Sequence, residues 1–454
     1  MTRNRMAWTA LAIVLAVSGA VVGGLFSTSR GTTRFDPRFH LSVSGTTQID
    51  EVNLLSVDCP SADVCVAVGS LTPATDGFIE TRSLFVVLHR LKVENVDVGP
   101  LGGLNEAESV SCPTSKSCMA VGSEGRNGAA WRFADGRWTE QLVRGAEMLR
   151  SVSCASVAAC VAIGQAADGK ESGWRYDGRQ WSAAMKIAGP VYGATTVHCV
   201  NVTFCAAIGS QGIFTGSLTT PLIPWVSTFN GSVWHTVKLV LHRPTETVGR
   251  LWALACVSAS HCVAVGSMWS GNAPGRTTAL EDTWNGERWN ENNTGVLDGV
   301  QNAQIIDGAA CTRSDCMVTG EYRRPHMQRR FQLELMLESH QLFTEIASPG
   351  YLEDGFDTFS GCAGDGTCLF LEPGDLRNAP IVYFTNHSPS TERQLSLPET
   401  WNNLNSLSCA SPRWCVVAGE ESSTSPRPTV SILVWNGTTF SSAYLQSPEA
   451  KSSG

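Results

Sequence analysis

Ser109-Val110-Ser111-Cys112-Pro113-Thr114-Ser115-Lys116-Ser117-Cys118-Met119-Ala120-Val121-Gly122-Ser123, with Trp131-Arg132-Phe133-Ala134-Asp135-Gly136-Arg137-Trp138 behind it, is the stretch on which the fold is read. In one-letter form SVSCPTSKSCMAVGS (109–123) returns as SVDCPSADVCVAVGS (56–70), SVSCASVAACVAIGQ (151–165), TVHCVNVTFCAAIGS (196–210) and ALACVSASHCVAVGS (253–267). It returns further as GAACTRSDCMVTGE (308–321), SGCAGDGTCLFLE (360–372) and SLSCASPRWCVVAGE (406–420). The first cysteines are 53, 42, 45, 57, 55, 51 and 47 residues apart, so the chain is a repeat array with a period near 50.

The second element of the repeat reads WRFADGRW (131–138), WRYDGRQW (174–181), STFNGSVW (227–234), DTWNGERW (282–289) and LVWNGTTF (433–440). A β-rich run, an Asp-Gly or Asn-Gly pair and a second aromatic are a hairpin signal, because both central positions of the favoured two-residue turn need a positive φ. The first, sixth and seventh repeats keep flanking strands (SLFVVLHRL, FQLELMLES, PIVYFTNH) without that turn. Each repeat thus predicts four antiparallel strands. The sequence implies an all-β, eight-bladed β-propeller over 50–446, or a seven-bladed one should the degenerate seventh repeat pack elsewhere. Small residues in SVSC and CVAVG suit the crowded inner strands. The recurring tryptophans, among them Trp131, Trp138, Trp174, Trp181, Trp234, Trp284, Trp289 and Trp435, suit packing between blades better than a ligand platform.

The eight cysteine pairs are Cys59–Cys65, Cys112–Cys118, Cys154–Cys160, Cys199–Cys205, Cys256–Cys262, Cys311–Cys316, Cys362–Cys368 and Cys409–Cys415, and they use all 16 cysteines. Zinc would want four ligands at short spacing, and redox chemistry a C-x-x-C at a helix start; neither pattern occurs. Facing residues of an antiparallel pair lie about 4.5–5.5 Å apart at Cα, within reach of a disulfide. A disulfide closing the loop between the first two strands of each blade, worth about 2 kcal/mol, is the reading that remains. It implies an oxidising compartment.

With its SxSC-x5-C-x-AVG and W-N-G-x-x-W elements, the chain resembles exported repeat proteins of actinobacteria, which are similar to propellers of the Kelch and bacterial-neuraminidase-repeat types. The resemblance spans about residues 50–446 and implies a fold and a cell-envelope setting, without a defined activity. The neuraminidase Asp-box order S-x-D-x-G-x-x-W is not met, since Asp135 and Gly136 are adjacent.

Composition agrees with a globular β protein: 16% charged residues is below the usual share of about 25%, and Gly reaches 43 of 454 residues. A net charge of −8 argues against nucleic acid as a partner. Arg3 and Arg5 precede an uncharged run from Met6 to Phe26. That run is long enough for a membrane helix of about 20 residues. It also fits a signal peptide cut near Ser18-Gly19-Ala20. The domains expected are therefore a signal anchor or signal peptide (1–26), a linker (27–49), the propeller (50–446) and a flexible tail (447–454). The chain is expected in the cell membrane as a single-pass protein with its propeller outside the cytoplasm, or secreted if the segment is cleaved.

Strand polarity places the cystine loops and Gly turns on one face and the variable loops on the other. The larger variable loops are 71–83, 211–225, 268–281 and 322–330. Variable loops on a rigid frame are where binding residues sit. The expected binding residues are Tyr322, Arg323, Arg324, His326, Arg329 and Arg330, whose four arginines can grip an acidic glycan, a lipid head group or an acidic protein. No catalytic set, metal site or cofactor motif is recognised. The expected function is a non-enzymatic module binding an envelope protein or cell-wall glycan. The alternative is a polysaccharide hydrolase or lyase using Glu353, Asp354 or Asp357.

Overall fold

In a computed structural model, the repeat becomes strands. It describes residues 38–40, 49–73, 80–90, 92–100, 104–190, 196–212, 222–239, 248–270, 273–291, 303–311, 316–323, 330–338, 341–347, 359–362, 368–371, 379–385, 388–395, 401–411, 413–421 and 429–446. The segment 1–26 expected to anchor or export the chain lies outside these residues. Among the described residues no helix is long and apolar enough to cross a membrane.

Repeats two to seven each form a separate four-stranded antiparallel sheet. The four strands of repeat two show the plan: Glu106–Thr114, Ser117–Glu124, Asn127–Ala134 and Arg137–Leu142, paired in that order. The first and eighth repeats share one nine-stranded sheet, joined where Asn53 faces Glu420. The ninth strand is Arg38–His40, from the stretch read as linker; it pairs in parallel with Tyr444–Gln446 at the outer edge. The first strands of successive repeats are Ile49–Ser61, Glu106–Thr114, Ala146–Ser156, Thr196–Asn201, Val248–Ser258, Ala303–Cys311, Phe359–Cys362 and Trp401–Ser411. Each packs against the next, and the last packs against the first. The described part of the chain is thus a β-propeller-like ring of four-stranded units.

The core lies between units. Val66 and Phe85 of the first repeat pack with Trp131 and Phe133 of the second, and Met119 and Val121 of the second with Trp174 and Tyr176 of the third. Trp174 and Trp225 are fully buried. Trp138, Trp181, Trp234 and Trp284, which are half-buried, pack against the same clusters. Full burial of a ring such as Trp174 or Trp225 stabilises by about 1.5–3 kcal/mol.

Seven of the cysteine pairs are disulfides: Cys59–Cys65, Cys112–Cys118, Cys154–Cys160, Cys199–Cys205, Cys256–Cys262, Cys311–Cys316 and Cys409–Cys415. Cys362 and Cys368 face each other in the ladder. The Cα separations, 3.9–4.1 Å, are shorter than expected. The ladder shifts register directly after Cys154, Cys199, Cys256 and Cys409, and this tight turn draws the strands together.

Two expectations are corrected. Of the five Asp-Gly and Asn-Gly turns, only Asp135-Gly136 has both φ angles positive, 52° and 76°. At Asp177, Asn230, Asn285 and Asn436 the side-chain Oδ1 accepts backbone N–H groups two and three residues on, as from Arg179 and Gln180 to Asp177. That widens the turn to four residues, so only the glycine takes a positive φ. The stretch 268–281 is also mostly not a loop. His261–Ser270 and Ala273–Trp284 run on as paired strands, with Ser270 facing Ala273.

Candidate functional site

Six first strands shift register by one residue, always four positions before the first cysteine; in the fourth and seventh repeats that position lies outside the described residues. The extra residue is Leu55, Glu108, Arg150, Trp252, Asp307 and Asn405 in turn. A β-bulge releases one residue from the ladder and re-aims its side chain. The glycine of the A-V-G motif faces the residue just before the bulge, for a physical reason. A Cβ at Gly69, Gly122, Gly164 or Gly266 would collide with the carbonyl oxygen of Asn53, Glu106, Met148 or Arg250. The frame is constant and the residue presented on it is not.

Directly after the bulge the first strands are laced together. A first strand uses only one edge for its ladder, so the N–H groups on its other edge need acceptors. Ser56 Oγ accepts from Val110 N at 3.2 Å, and Asp58 Oδ2 from Cys112 N at 2.6 Å. Ser109 and Ser111 serve Val152 and Cys154 at 3.2 and 3.1 Å, and Ser151 and Ser153 serve Val197 and Cys199 at 3.1 and 2.8 Å. Ser406 and Ser408 serve Val57 and Cys59 at 3.1 and 3.0 Å, joining the last repeat to the first. The S-x-S of the motif is therefore an inter-repeat hydrogen-bond ladder. It holds the bulged residues at fixed spacing.

The bulged side chains Leu55, Glu108, Arg150, Trp252 and Asn405 are all half-buried. Burial raises the Glu108 carboxyl to about 7, repulsion from Glu106 adds to this, and the Arg150 charge opposes it. Arg150 Nε is buried without a hydrogen-bond partner. Trp252 donates from Nε1 to Ser267 Oγ at 3.0 Å, and the Arg250 guanidinium lies 4.0 Å above its ring. Asn405 Nδ2 donates to Asn53 Oδ1 and Leu54 O at 2.7 and 2.9 Å. An acid, a cation, a π-stacked ring, a carboxamide and an aliphatic chain therefore share one register position, a set suited to recognition. Burial also raises Asp58 to about 6, and drives His198, at the equivalent position of the fourth repeat, down from its ordinary value.

Of the residues expected to bind, Tyr322 and Arg323 end one strand and Arg330 begins the next, with Arg323 facing Arg330 in the ladder. Arg324, His326 and Arg329 lie outside the described residues, as do Glu353, Asp354 and Asp357. Among the described residues no group of three metal-ligating side chains occurs. The bulge position was not singled out from the sequence, although a signal exists. Aligned on the first cysteine, the second, third and eighth repeats agree at the two serines and differ one residue earlier, where they hold Glu108, Arg150 and Asn405.

No protein-family model matches the chain, and no curated protein matches it. Among solved structures it resembles a YCF48 protein bound to a D1 peptide (13% identity, TM-score 0.41), over 73% of this chain and 93% of that one. It resembles a eukaryotic initiation factor (11%, TM-score 0.45) over 90% and 91%. It also resembles the six-bladed fucose-binding lectin of Aleuria aurantia (11%, TM-score 0.37) over 76% and 96%. At these identities the likeness does not extend to a ligand or an activity.

Proposed function

We propose that the chain is a non-enzymatic binding module on an eight-bladed propeller, exported and held at the cell envelope. The observation that carries this reading is the bulge: one backbone geometry repeated around the ring, presenting Asn405, Leu55, Glu108, Arg150 and Trp252. Taking the nine-stranded sheet as two blades gives the eighth, with the Ser406 and Ser408 bonds closing the circle. The cystine pairs support export into an oxidising compartment. Attachment through residues 6–26, and a contribution from Tyr322 to Arg330 at the same partner, belong to the proposal. The partner is an envelope protein or a cell-wall glycan.

A photo-activatable residue placed at Leu55 or at Trp252 in intact cells tests the binding surface. One discrete adduct, lost on Glu108→Gln with Arg150→Ser and absent when the probe sits at exposed Val237, is the expected result. Equal labelling from Val237, or an adduct indifferent to both substitutions, contradicts the choice of surface.

A further inference from the structure

The third repeat breaks the pattern of its neighbours at one point. The outer strand starts at Arg137 in the second repeat, Trp234 in the fourth, Trp289 in the fifth and Phe440 in the eighth, at or beside the aromatic that follows the turn. In the third it starts only at Met185, and Trp181 keeps a lone bridge to Tyr176. Ser182 stays tied to Arg175 through Ser182 N to Arg175 O (2.8 Å) and Arg175 N to Ser182 Oγ (3.0 Å). Ala183 and Ala184 leave the sheet and are exposed. The departure opens a cleft of about 890 Å³ against the outer strand of the second repeat. That volume lies within the range of about 300–1,000 Å³ usual for small-ligand sites.

The lining has a definite chemistry. Arg144 and Arg179 contribute two guanidiniums, and no carboxylate lines the cleft. Neither arginine forms a salt bridge among the described residues. The neighbouring Asp177 is occupied by the backbone amides of Arg179 and Gln180, which hold its carboxyl below the ordinary range with a smaller contribution from the Arg179 charge. Both arginines sit on fixed backbone: Arg144 O accepts Trp174 Nε1 at 3.2 Å, and Arg179 N donates to Asp177 Oδ1 at 2.9 Å. Leu142, 66% exposed, joins Trp181, Ala183 and Ala184 as an apolar wall. Gln141 Oε1 is buried there without a donor. Trp181 Nε1 also lacks an acceptor, but so do Trp138 and Trp234, so that feature belongs to the repeat.

We propose that this cleft binds a carboxylated oligosaccharide of the uronate type. The two guanidiniums take carboxylates in forked hydrogen bonds. The wall of Leu142, Trp181 and alanines takes the C–H face of a sugar ring, and Gln141 Oε1 accepts from a ring hydroxyl. A neutral sugar leaves both arginines unanswered.

The site is separate from the bulge ring, so either can fail alone. Calorimetry of the purified full chain with tri-galacturonate at low salt is the test, with galactotriose as the neutral control. Tri-galacturonate binds saturably, and galactotriose about tenfold more weakly or less, a loss of about 1.4 kcal/mol. Arg144→Ser and Arg179→Ser each weaken tri-galacturonate by about fivefold, the order expected for one charge-assisted bond. The double variant abolishes binding while its melting temperature is unchanged, both positions being exposed. Glu108→Gln with Arg150→Ser leaves it intact. Absence of binding by both tri-galacturonate and tri-glucuronate overturns the proposal, as does full affinity in the double variant. A hexaglutamate peptide that binds through the two arginines while the uronates stay inert overturns it as well.

Discussion

Two arcs of the ring share a backbone and differ in how it is held. From the eighth repeat through the first, second and third, the residues one and three places before the first cysteine are Ser408 and Ser406, Asp58 and Ser56, Ser111 and Ser109, and Ser153 and Ser151. Each reaches a main-chain N–H of the next repeat. From the fifth to the seventh the same places hold Ala255 and Ala253, Ala310 and Gly308, and Gly361 and Phe359, with no oxygen to offer. Yet the bulge and the facing cysteines persist at Trp252 and at Asp307. Strand pairing and inter-repeat packing therefore generate the frame, and the hydroxyl ladder adds rigidity to one arc of it. The laced arc carries Asn405, Leu55, Glu108 and Arg150, four adjacent members of the candidate site.

The bulge glycine gives the largest expected effect and should not distinguish the arcs. Gly122→Ala and Gly266→Ala each force a Cβ onto a carbonyl oxygen, at a cost of about 3 kcal/mol or more. Chemical denaturation should show similar losses at both sites. The ladder itself separates the arcs. Ser109→Ala with Ser111→Ala strips acceptors from Val152 N and Cys154 N, costing about 2–3 kcal/mol. Ala253→Ser with Ala255→Ser removes no inter-repeat bond and should change stability by about 1 kcal/mol or less. Replacing both cysteines by serine costs about 2 kcal/mol whether the pair is Cys154–Cys160 or Cys256–Cys262.

Asp58 gives a smaller effect than the ladder or the cystines, and one that depends on pH. Its folded carboxyl is raised from 3.8 to about 6 by burial, so stability is full below 3.8 and declines as pH rises through about 6. Asp58→Ser keeps an acceptor for Cys112 N and removes that dependence. Melting curves should show the variant about 1 kcal/mol more stable at pH 8, allowing for partial exposure, and no more stable at pH 4. A constant offset at both pH values would contradict this origin.

Much of the frame was legible because it repeats. Sixteen cysteines in eight closely spaced pairs and five Gly turns specify four-stranded units without a structure. The turns were misjudged in detail, because an Asn or Asp side chain can close a wider loop than the Asn-Gly signal suggests. The 268–281 stretch has a variable-loop place in the repeat and holds Gly271, Asn272, Pro274 and Gly275, yet is mostly strand. An irregular step after Trp269, between its partner Thr277 and the Ser270–Ala273 pair, absorbs Pro274-Gly275-Arg276. The candidate site was hidden for a different reason. Motif search rewards residues that recur, whereas the bulge position matters because it does not recur. The serines beside it recur, but they look like small inner-strand residues until the neighbouring strand is in place.

Native-state amide hydrogen exchange of the wild-type chain tests the two-arc comparison most directly. Val57, Cys59, Val110, Cys112, Val152, Cys154, Val197 and Cys199 should exchange slowly, near the rate of global unfolding. Ala309, Cys311, Leu407 and Cys409, whose preceding repeats offer no oxygen at those places, should exchange faster by about a hundredfold, equivalent to about 2.7 kcal/mol. Equal protection in both arcs would contradict the claim that the side-chain ladder makes one arc the rigid platform for the bulged residues.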